Sequence, residues 1–307
     1  MNVFAEILFV ILAIVVTVAV GLVASWLVRK VSALVHYRVG PPLLQPAWDV
    51  LKLMGKETLV PAEAQRGLFM ASPLVGMAGV MLLSIILLHA AVWPAKAFIG
   101  DVIVVLYLTL LPSLALILGS SASASPHATM GTSREMKLVM GYELPLILAL
   151  IVAIIKSGGV ISLAGIAAGN PIASISGVIA FLVALFCVQA KLGFVPFDMA
   201  EAETELASGV MVEYSGALLA VWKLMQAMML VALPLFVVTL FLGGFVTWWH
   251  GIIWYVVIVV LVILIKNTNP RVRIDQAMKF FWVYCGIAMV LAVVLASVGN
   301  ILGWSWL

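Results

Sequence analysis

The feature that most constrains this chain is its series of apolar runs, most of which reach the roughly 20 residues that one membrane crossing needs. An α-helix rises about 1.5 Å per residue, so a run of this length spans the ~30 Å hydrocarbon core of a bilayer. A transmembrane β-barrel would need strands of ~10 residues with alternating polarity, and these runs do not alternate. The sequence therefore predicts an all-α membrane protein.

Composition supports this prediction. Of the 307 residues, 65% are hydrophobic and 9% are charged, whereas soluble domains carry about a quarter charged residues. The first run has no basic n-region before it and no small-residue cleavage site, which favours a retained span over a signal peptide. We predict a single integral domain over residues 1–307, a polytopic helical bundle that crosses the inner (cytoplasmic) cell membrane about eight times. The spans are placed at about 4–28, 69–93, 101–121, 138–156, 172–191, 213–243, 250–266 and 280–303.

Basic residues predict the orientation of the bundle. An even number of spans puts both termini on one side of the membrane. Thirteen of the sixteen Lys and Arg residues fall in the odd-numbered loops, and only Lys96 and Lys156 fall in the even-numbered ones. Because Lys and Arg are enriched in cytoplasmic loops, the odd loops are predicted to be cytoplasmic and both termini to lie outside.

The first loop has a helical pattern of its own between Pro42 and Lys56. Its apolar stripe consists of Leu44, Ala47, Leu51 and Met54. Its polar stripe, at the same spacing, consists of Gln45, Asp49, Lys52 and Lys56. This pattern predicts an amphipathic helix that lies in the cytoplasmic membrane interface. It fits a plain surface anchor, and it also fits a brace or docking platform for a partner.

Acidic residues are concentrated in the fifth loop. Residues 193–216, which read GFVPFDMAEAETELASGVMVEYSG and are called the acidic loop below, hold five of the thirteen acids of the chain: Asp198, Glu201, Glu203, Glu205 and Glu213. A helix from Met199 onward would place Glu201, Glu205 and Glu213 on one line that enters the sixth span, with Glu203 on another side. Asp198 would then be an N-cap or first-turn acid.

Two functions fit these acids. Crowded carboxylates in a low dielectric have raised pKa values, and such groups mark proton relays in membrane pumps. We therefore predict that Glu201, Glu203, Glu205 and Glu213 belong to an ion or proton path. Alternatively, several acids bind basic loops on the same side, where Arg38, Arg134, Arg271 and Arg273 are available.

Two charged residues lie inside predicted spans. Ser133 is predicted to cap the fourth span, which puts Glu143 roughly 10 Å deeper along that helix. A carboxylate at that depth costs at least ~2.5 kcal/mol and marks a functional site by default, although a structural ion pair with Lys137 or a loop arginine is the alternative. Lys223, inside the sixth span, is predicted to face the protein interior and a carboxylate partner.

No cofactor is indicated on this chain. It has two cysteines, Cys187 and Cys285, against the roughly four ligands of an iron–sulfur cluster, and both are predicted to be small buried hydrophobes. Nucleotide-binding and zinc-protease motifs are absent. In the seventh loop, Arg271, Arg273 and Asp275 are typical of a positive-inside anchor with a helix cap.

Three segments carry a resemblance to a known family. HYRVGPPLLQPAWDVLKLMGKE at 36–57, the acidic loop, and RVRIDQ at 271–276 resemble the membrane-arm heel subunit shared by respiratory complex I and the membrane-bound nickel–iron hydrogenases. The resemblance covers nearly the whole chain. It implies an eight-span fold at the junction between a hydrophilic redox arm and a membrane arm.

The resemblance also implies roles and partners. The acids of the acidic loop would begin a polar path that couples electron transfer to movement of H⁺ or Na⁺ in an antiporter-like neighbour. Glu143 matches the carboxylate of the fourth span, and Arg38, Arg273 and Asp275 match charged loop positions. The chain would be a non-redox subunit of an oxidoreductase complex, with no cofactor of its own. The partners implied are hydrogenase large and small subunits that hold the nickel–iron centre and iron–sulfur clusters, an antiporter-like membrane subunit, and lipid, with no nucleic acid.

Departures within the motifs resemble one branch of this family. Complex I members usually have a PNRVGP-like first motif and a RASAQ-like sequence before the fourth-span glutamate, whereas this chain has HYRVGPP and SREMKLVMGYELP. Both departures resemble the energy-converting hydrogenases, which take electrons from ferredoxin and use no quinone. The alternatives are a quinone-site subunit of complex I, the equivalent subunit of a sulfur-reducing complex, and a stand-alone secondary transporter, for which no internal repeat is evident.

Overall fold

The computed structural model describes residues 3–94, 100–244, 248–304 and 306–307, and these residues form helices and connecting loops without a strand. The helices are α1 (Val3–Val35), α2 (Gln45–Met54), α3 (Arg66–Val92), α4 (Asp101–Ser121), α5 (Pro126–Lys156), α6 (Leu163–Gly169), α7 (Ile175–Lys191), α8 (Glu203–Leu206), α9 (Gly216–Phe241), α10 (Trp248–Thr268), α11 (Ile274–Lys279) and α12 (Gly286–Leu302). A π-helical turn at Phe280–Cys285 joins α11 to α12.

Within the described ranges, seven helical segments are long and apolar enough to cross a membrane: α1, α3, α4, α5, α9, α10 and the continuous α11–α12 unit. Helix α7 has 17 residues and follows the short segment Leu163–Ala173 at a bend of 109°. This bent pair supplies the eighth crossing when it is counted as one span. The all-α fold with about eight spans agrees with the sequence prediction.

Helix α9 forms the centre of the bundle. In its most apolar 18-residue window 89% of the residues are buried, against 22% in α1 and 28% in α10. Helix α9 packs against α1, α3 and α10, and apart from Lys223 and Gln226 its sequence is almost entirely apolar, as expected for a helix without a solvent-facing surface. The outer helices instead leave one apolar side free for lipid.

The predicted amphipathic helix is present as α2. It packs beside α1 and α9, and an ion pair of 2.8 Å joins Asp49 of α2 to Arg29 of α1. Trp48, Leu51 and Met54 are exposed along its apolar stripe. This arrangement suits a helix that lies against the membrane surface with its apolar side down.

Helix α5 begins earlier than predicted. It starts at Pro126, with Ser125 at the N-cap, so Ser133 lies inside the helix and does not cap it. Packing outweighs the weak helix propensity of this small polar stretch. Gly131 is pressed so closely against the acidic loop that an added Cβ would lie 2.9 Å from the carbonyl oxygen of Ala200.

The acidic loop is not a continuous helix. Helix α8 is one turn long, a 3₁₀ turn follows at Gly209–Met211, and α9 starts only at Gly216. Left-handed backbone separates these pieces, and such residues interrupt a right-handed helix. The positive φ angles are 50° at Ala207, 81° at Ser208 and 47° at Gly209.

Two predictions about the acids are therefore wrong. Glu213 lies in the loop before α9 rather than in the sixth span, and no helical line runs through Glu201, Glu205 and Glu213. Asp198 precedes a segment without helix, so it is not an N-cap. The physical reason is the left-handed turn, which redirects the chain before α9 begins.

Candidate functional site

A cavity of about 630 Å³ opens beside the acidic loop. Its wall is built by α1, α2, the acidic loop, α9 and the end of α10. Six of the 25 residues that line it are charged, and a charge inside a span, such as Lys223, is costly enough to indicate function. The charged lining residues are Arg29, Asp49, Asp198, Glu201, Lys223 and Lys266.

A chain of hydrogen bonds crosses the wall of this cavity. The Gln226 side-chain amide donates to Glu201 at 2.6 Å, and the Lys223 ammonium donates to the Gln226 amide oxygen at 3.3 Å. Lys223 therefore faces the interior, as predicted. Its hydrogen-bond partner is an amide rather than the predicted carboxylate, and Gln226 links it to Glu201.

A second, smaller cavity of about 40 Å³ adjoins the first. This volume suits a few water molecules, each of which needs about 10–15 Å³ and two to four polar partners. It shares the walls formed by Asp198, Glu201 and Gln226 with the larger cavity, and Glu135 and Lys191 line it as well. Together the two cavities connect the acidic loop with charged groups inside the spans.

A buried ion pair lies next to the smaller cavity. Lys191, the last residue of α7, bonds to Glu143 of α5, and the two side chains are 0% and 17% exposed. The Lys191 ammonium also lies 3.5 Å from the Thr109 carbonyl oxygen and 4.9 Å from the centre of the Tyr142 ring. A backbone dipole and an aromatic face thus help to hold this cation away from water.

The partner of Glu143 differs from the sequence prediction. Lys137 is six residues away on the same helix, which places it about 120° round the axis on another face, where it is exposed. The cation comes instead from α7, which packs against α5. Lys191 therefore belongs to the interior and not to the loop to which the span prediction assigned it.

At the surface, two arginines hold the acidic loop. Arg134 pairs with Glu205 at 2.6 Å, and Arg271 pairs with Asp198 at 2.7 Å. The hydrogen bond and charge of Arg134 lower the pKa of Glu205, which is exposed. These contacts match the alternative in which loop acids bind basic loops.

Four other predicted site residues, Arg38, Glu213, Arg273 and Asp275, are not among the residues that line the two cavities. Arg38 is exposed, Arg273 is the N-cap residue of α11 with Asp275 in its first turn, and Glu213 is half-buried in the turn before α9. Glu203 is in α8, but its side chain lies outside the described residues.

Tyr214 fixes the end of the acidic loop to α3. Its ring stacks on Phe69 with centroids 4.2 Å apart, and its hydroxyl donates to the Phe69 carbonyl oxygen at 3.1 Å and contacts the Ser72 hydroxyl at 3.0 Å. Burial raises the pKa of Tyr214. The loop is therefore tied at both ends, by arginines and by this tyrosine.

Two functional candidates, Glu135 and Lys191, were not selected from the sequence. Glu135 is 8% exposed, and it shares helical spacing with the buried residues Leu138, Val139 and Tyr142. That 3–4 spacing was the available signal for an inward-facing acid. The span boundary at 138 hid it, because Glu135 then counted as part of a loop.

The fold and site define a class: a polytopic membrane subunit with a charged cavity joined to buried charges. The family model described as NADH dehydrogenase matches residues 7–297, so the chain belongs to this family. As in its relatives, it is a membrane subunit of a complex I-like oxidoreductase, without a catalytic centre of its own.

Known relatives are similar in sequence to most of the chain. A subunit of the NADH-quinone oxidoreductase of Dehalococcoides mccartyi is 32% identical over 283 residues, covering 84% of this chain and 76% of the relative. A subunit of the NADH-quinone oxidoreductase of Syntrophobacter fumaroxidans is 33% identical over 301 residues, covering 90% of this chain and 89% of the relative.

A solved structure shares the fold. A chain of the membrane-bound sulfane sulfur reductase, an archaeal respiratory membrane complex, superposes with a TM-score of 0.85 at 25% identity, covering 95% of this chain and 99% of that one. The chain is thus a multi-span subunit of a membrane-bound respiratory complex.

Proposed function

We propose that this chain couples electron transfer in its complex to ion movement through charged groups at the acidic loop and inside α5, α7 and α9. The observation that carries the proposal is the buried Lys191–Glu143 pair beside a cavity that also reaches Glu201. A fully buried cation paired with an acid inside a membrane bundle is costly, and such pairs mark ion or proton pathways.

The path begins at the acidic loop. Glu201, Gln226 and Lys223 are joined by hydrogen bonds on the wall of the large cavity, and Glu201 reaches into the smaller one. Glu203, Glu205 and Glu213 are proposed to belong to the entrance, where the pairing of Glu205 with Arg134 would couple loop position to charge. A change of charge beside the loop would thereby change the electrostatic potential at the charged groups deeper in the bundle.

The path ends at a face of α5 that suits a membrane partner. Met140, Leu144, Ile147 and Ile151 form an exposed stripe on this helix, and Glu143 lies beside them, 17% exposed. We propose that the antiporter-like subunit docks on this stripe, and that the charge state of Glu143 influences ion movement in that subunit. A Met140→Cys variant in the assembled complex should cross-link to that subunit, whereas Ile7→Cys on the exposed face of α1 should not.

The branch proposed for the complex is the ferredoxin-dependent, membrane-bound nickel–iron hydrogenase. Support comes from the HYRVGPP and SREMKLVMGYELP motifs. The large and small hydrogenase subunits, which would hold the nickel–iron centre and iron–sulfur clusters, would dock near the acidic loop and α2.

Two other branches have specific support. The fold likeness to the sulfane sulfur reductase chain favours a sulfur-reducing complex, and the names of the relatives favour a quinone-reducing one. Purification in mild detergent followed by mass spectrometry discriminates among the three. A co-purifying large subunit with two C-x-x-C nickel motifs supports the hydrogenase, and its absence together with quinone-dependent turnover would overturn it.

The coupling role is tested by Glu201→Gln in the complete complex, reconstituted in sealed vesicles. Electron transfer from a soluble donor should persist, and ion uptake per electron should be largely lost. Glu63→Gln is the matched control, because Glu63 is an exposed acid remote in sequence from the acidic loop. Full ion uptake in the Glu201 variant would contradict its role.

A further inference from the structure

Glu135 is a buried acid of α5 that lies outside the path described above. Its side chain lines the smaller cavity together with Ser113, and its residue is 8% exposed. The Ser113 hydroxyl contacts the Tyr142 hydroxyl at 3.1 Å. A carboxylate buried in this way is expensive, so a role beyond filling space is indicated.

Glu135 lies between the two halves of the charge system. Its carboxylate is close enough to interact electrostatically with Glu201 on the loop and with Lys191 on α7. Lys191 in turn interacts with both Glu135 and Glu143. Since Glu135 and Glu143 are eight residues apart on α5, the three groups extend along about 12 Å of that helix, with the cation bonded to the deeper acid.

We propose that Glu135 is the proton-carrying link between the loop-side cavity and the Lys191–Glu143 pair. This inference rests on the proposed coupling function and assigns it to a particular acid. The smaller cavity supplies room for the water that would join Glu201 to Glu135.

The proton moves from Glu201 to Glu143 in two steps. First, the O–H bond of protonated Glu201 breaks and one forms on Glu135 through cavity water, which leaves Glu201 as a carboxylate. Second, Lys191 gives a proton to Glu143 and takes the proton held by Glu135. Lys191 and Glu135 then return to their charged forms, and one proton has moved from the loop to the deeper acid.

The test compares Glu135→Gln, Glu135→Asp and the control Glu63→Gln in the complete complex in sealed vesicles. Glu135→Gln should lower ion uptake per electron by ~10²-fold, the low end of what a positioned acid–base group contributes, with electron transfer from a soluble donor retained. Glu135→Asp should restore part of the uptake, because a carboxyl group is regained.

Infrared difference spectra provide a readout that a structural role would not change. Each carboxyl group that gains and loses a proton during turnover gives its own carbonyl band, and the band of Glu135 should be present in the wild type and the Glu63 variant and missing from Glu135→Gln. If Glu135→Gln does not assemble, Ser113→Ala should shift the pH profile of ion uptake, since it removes a hydroxyl group from the cavity wall that Glu135 shares. An unchanged profile would overturn the proposal.

The outcomes separate this inference from the coupling function. Wild-type uptake in Glu135→Gln combined with lost uptake in Glu143→Gln would overturn the role of Glu135 alone. Wild-type uptake in both variants would overturn the coupling function as well.

Discussion

Two ion pairs on the same helix behave as different kinds of interaction. Arg134 of α5 pairs with Glu205 at the surface, with side chains 33% and 52% exposed, whereas Glu143 pairs with Lys191 in the interior, where the lysine is fully buried. Exposed pairs contribute little to stability because water and salt screen them. A buried pair has lost its hydration, so removing either partner leaves an uncompensated charge.

This difference separates the pairs that attach the acidic loop from the pair that is proposed to act in ion coupling. The surface pairs position the acidic loop and can exchange partners at low cost. The interior pair is energetically demanding and lies beside the water-sized cavity, which fits the proposed role in ion coupling. Each of the following variants tests this contrast.

Lys191→Met should have the largest effect on stability. It leaves Glu143 without its cation, and breaking a buried pair costs about 3–5 kcal/mol. We expect a lower thermal midpoint, or lost assembly, of the purified complex. The double variant Lys191→Met with Glu143→Leu should recover much of that stability, and a single variant as stable as the wild type would contradict burial of the pair.

Gly131→Ala tests whether the acidic loop is tightly packed on α5. The new Cβ would lie 2.8 Å from the Val210 amide nitrogen and 2.9 Å from the Ala200 carbonyl oxygen, and such overpacking costs about 1–3 kcal/mol. Gly67→Ala is the matched control, because nothing lies within 4 Å of its added Cβ. Thermal denaturation should show a loss for Gly131→Ala and none for Gly67→Ala; equal midpoints would mean that the loop yields freely.

Tyr214→Phe should have a moderate effect. It keeps the stacking on Phe69 but removes the hydroxyl that contacts Ser72 and the Phe69 carbonyl oxygen. A net loss of about 1 kcal/mol is expected for these hydrogen bonds. Thermal denaturation measures it, and limited proteolysis should cut the acidic loop faster; unchanged cleavage would show that the tyrosine does not tether the loop.

Glu205→Gln should have the smallest effect on stability, and that effect should disappear in high salt. Arg134 lowers the pKa of Glu205 in the folded protein. Its stabilisation is therefore present above the unfolded-state pKa and is lost as the pH falls through the lower folded-state pKa. Thermal midpoints of wild type and variant should converge in acid, and a difference that grows there would reverse the assigned sign.

The sequence predicted features that depend on local composition. Apolar runs located the spans, and two stripes located α2, because hydrophobic burial in lipid acts on each segment separately. An inward position for Lys223 followed in the same way, since a cation deep in a span must face protein. Family membership followed from the motifs around the acidic loop.

Features that depend on packing between segments were not predictable in the same way. The partner of Glu143 comes from α7. The hydrophobic periodicity of one helix does not show which other helix packs against it, so this contact could not be predicted. The break in the acidic loop depends on left-handed residues, two of which, Ala207 and Ser208, rarely adopt that conformation. Only Glu135 had a visible signal, its spacing from the buried residues of α5.

The interior acid Glu143 is the group on which the proposed coupling of electron transfer to ion movement depends most. The most direct test is ion uptake per transferred electron for Glu143→Gln in the complete complex, measured in sealed vesicles with Glu63→Gln as control. We expect electron transfer near the wild-type rate and loss of nearly all ion uptake in the Glu143 variant. Wild-type uptake in that variant would contradict it.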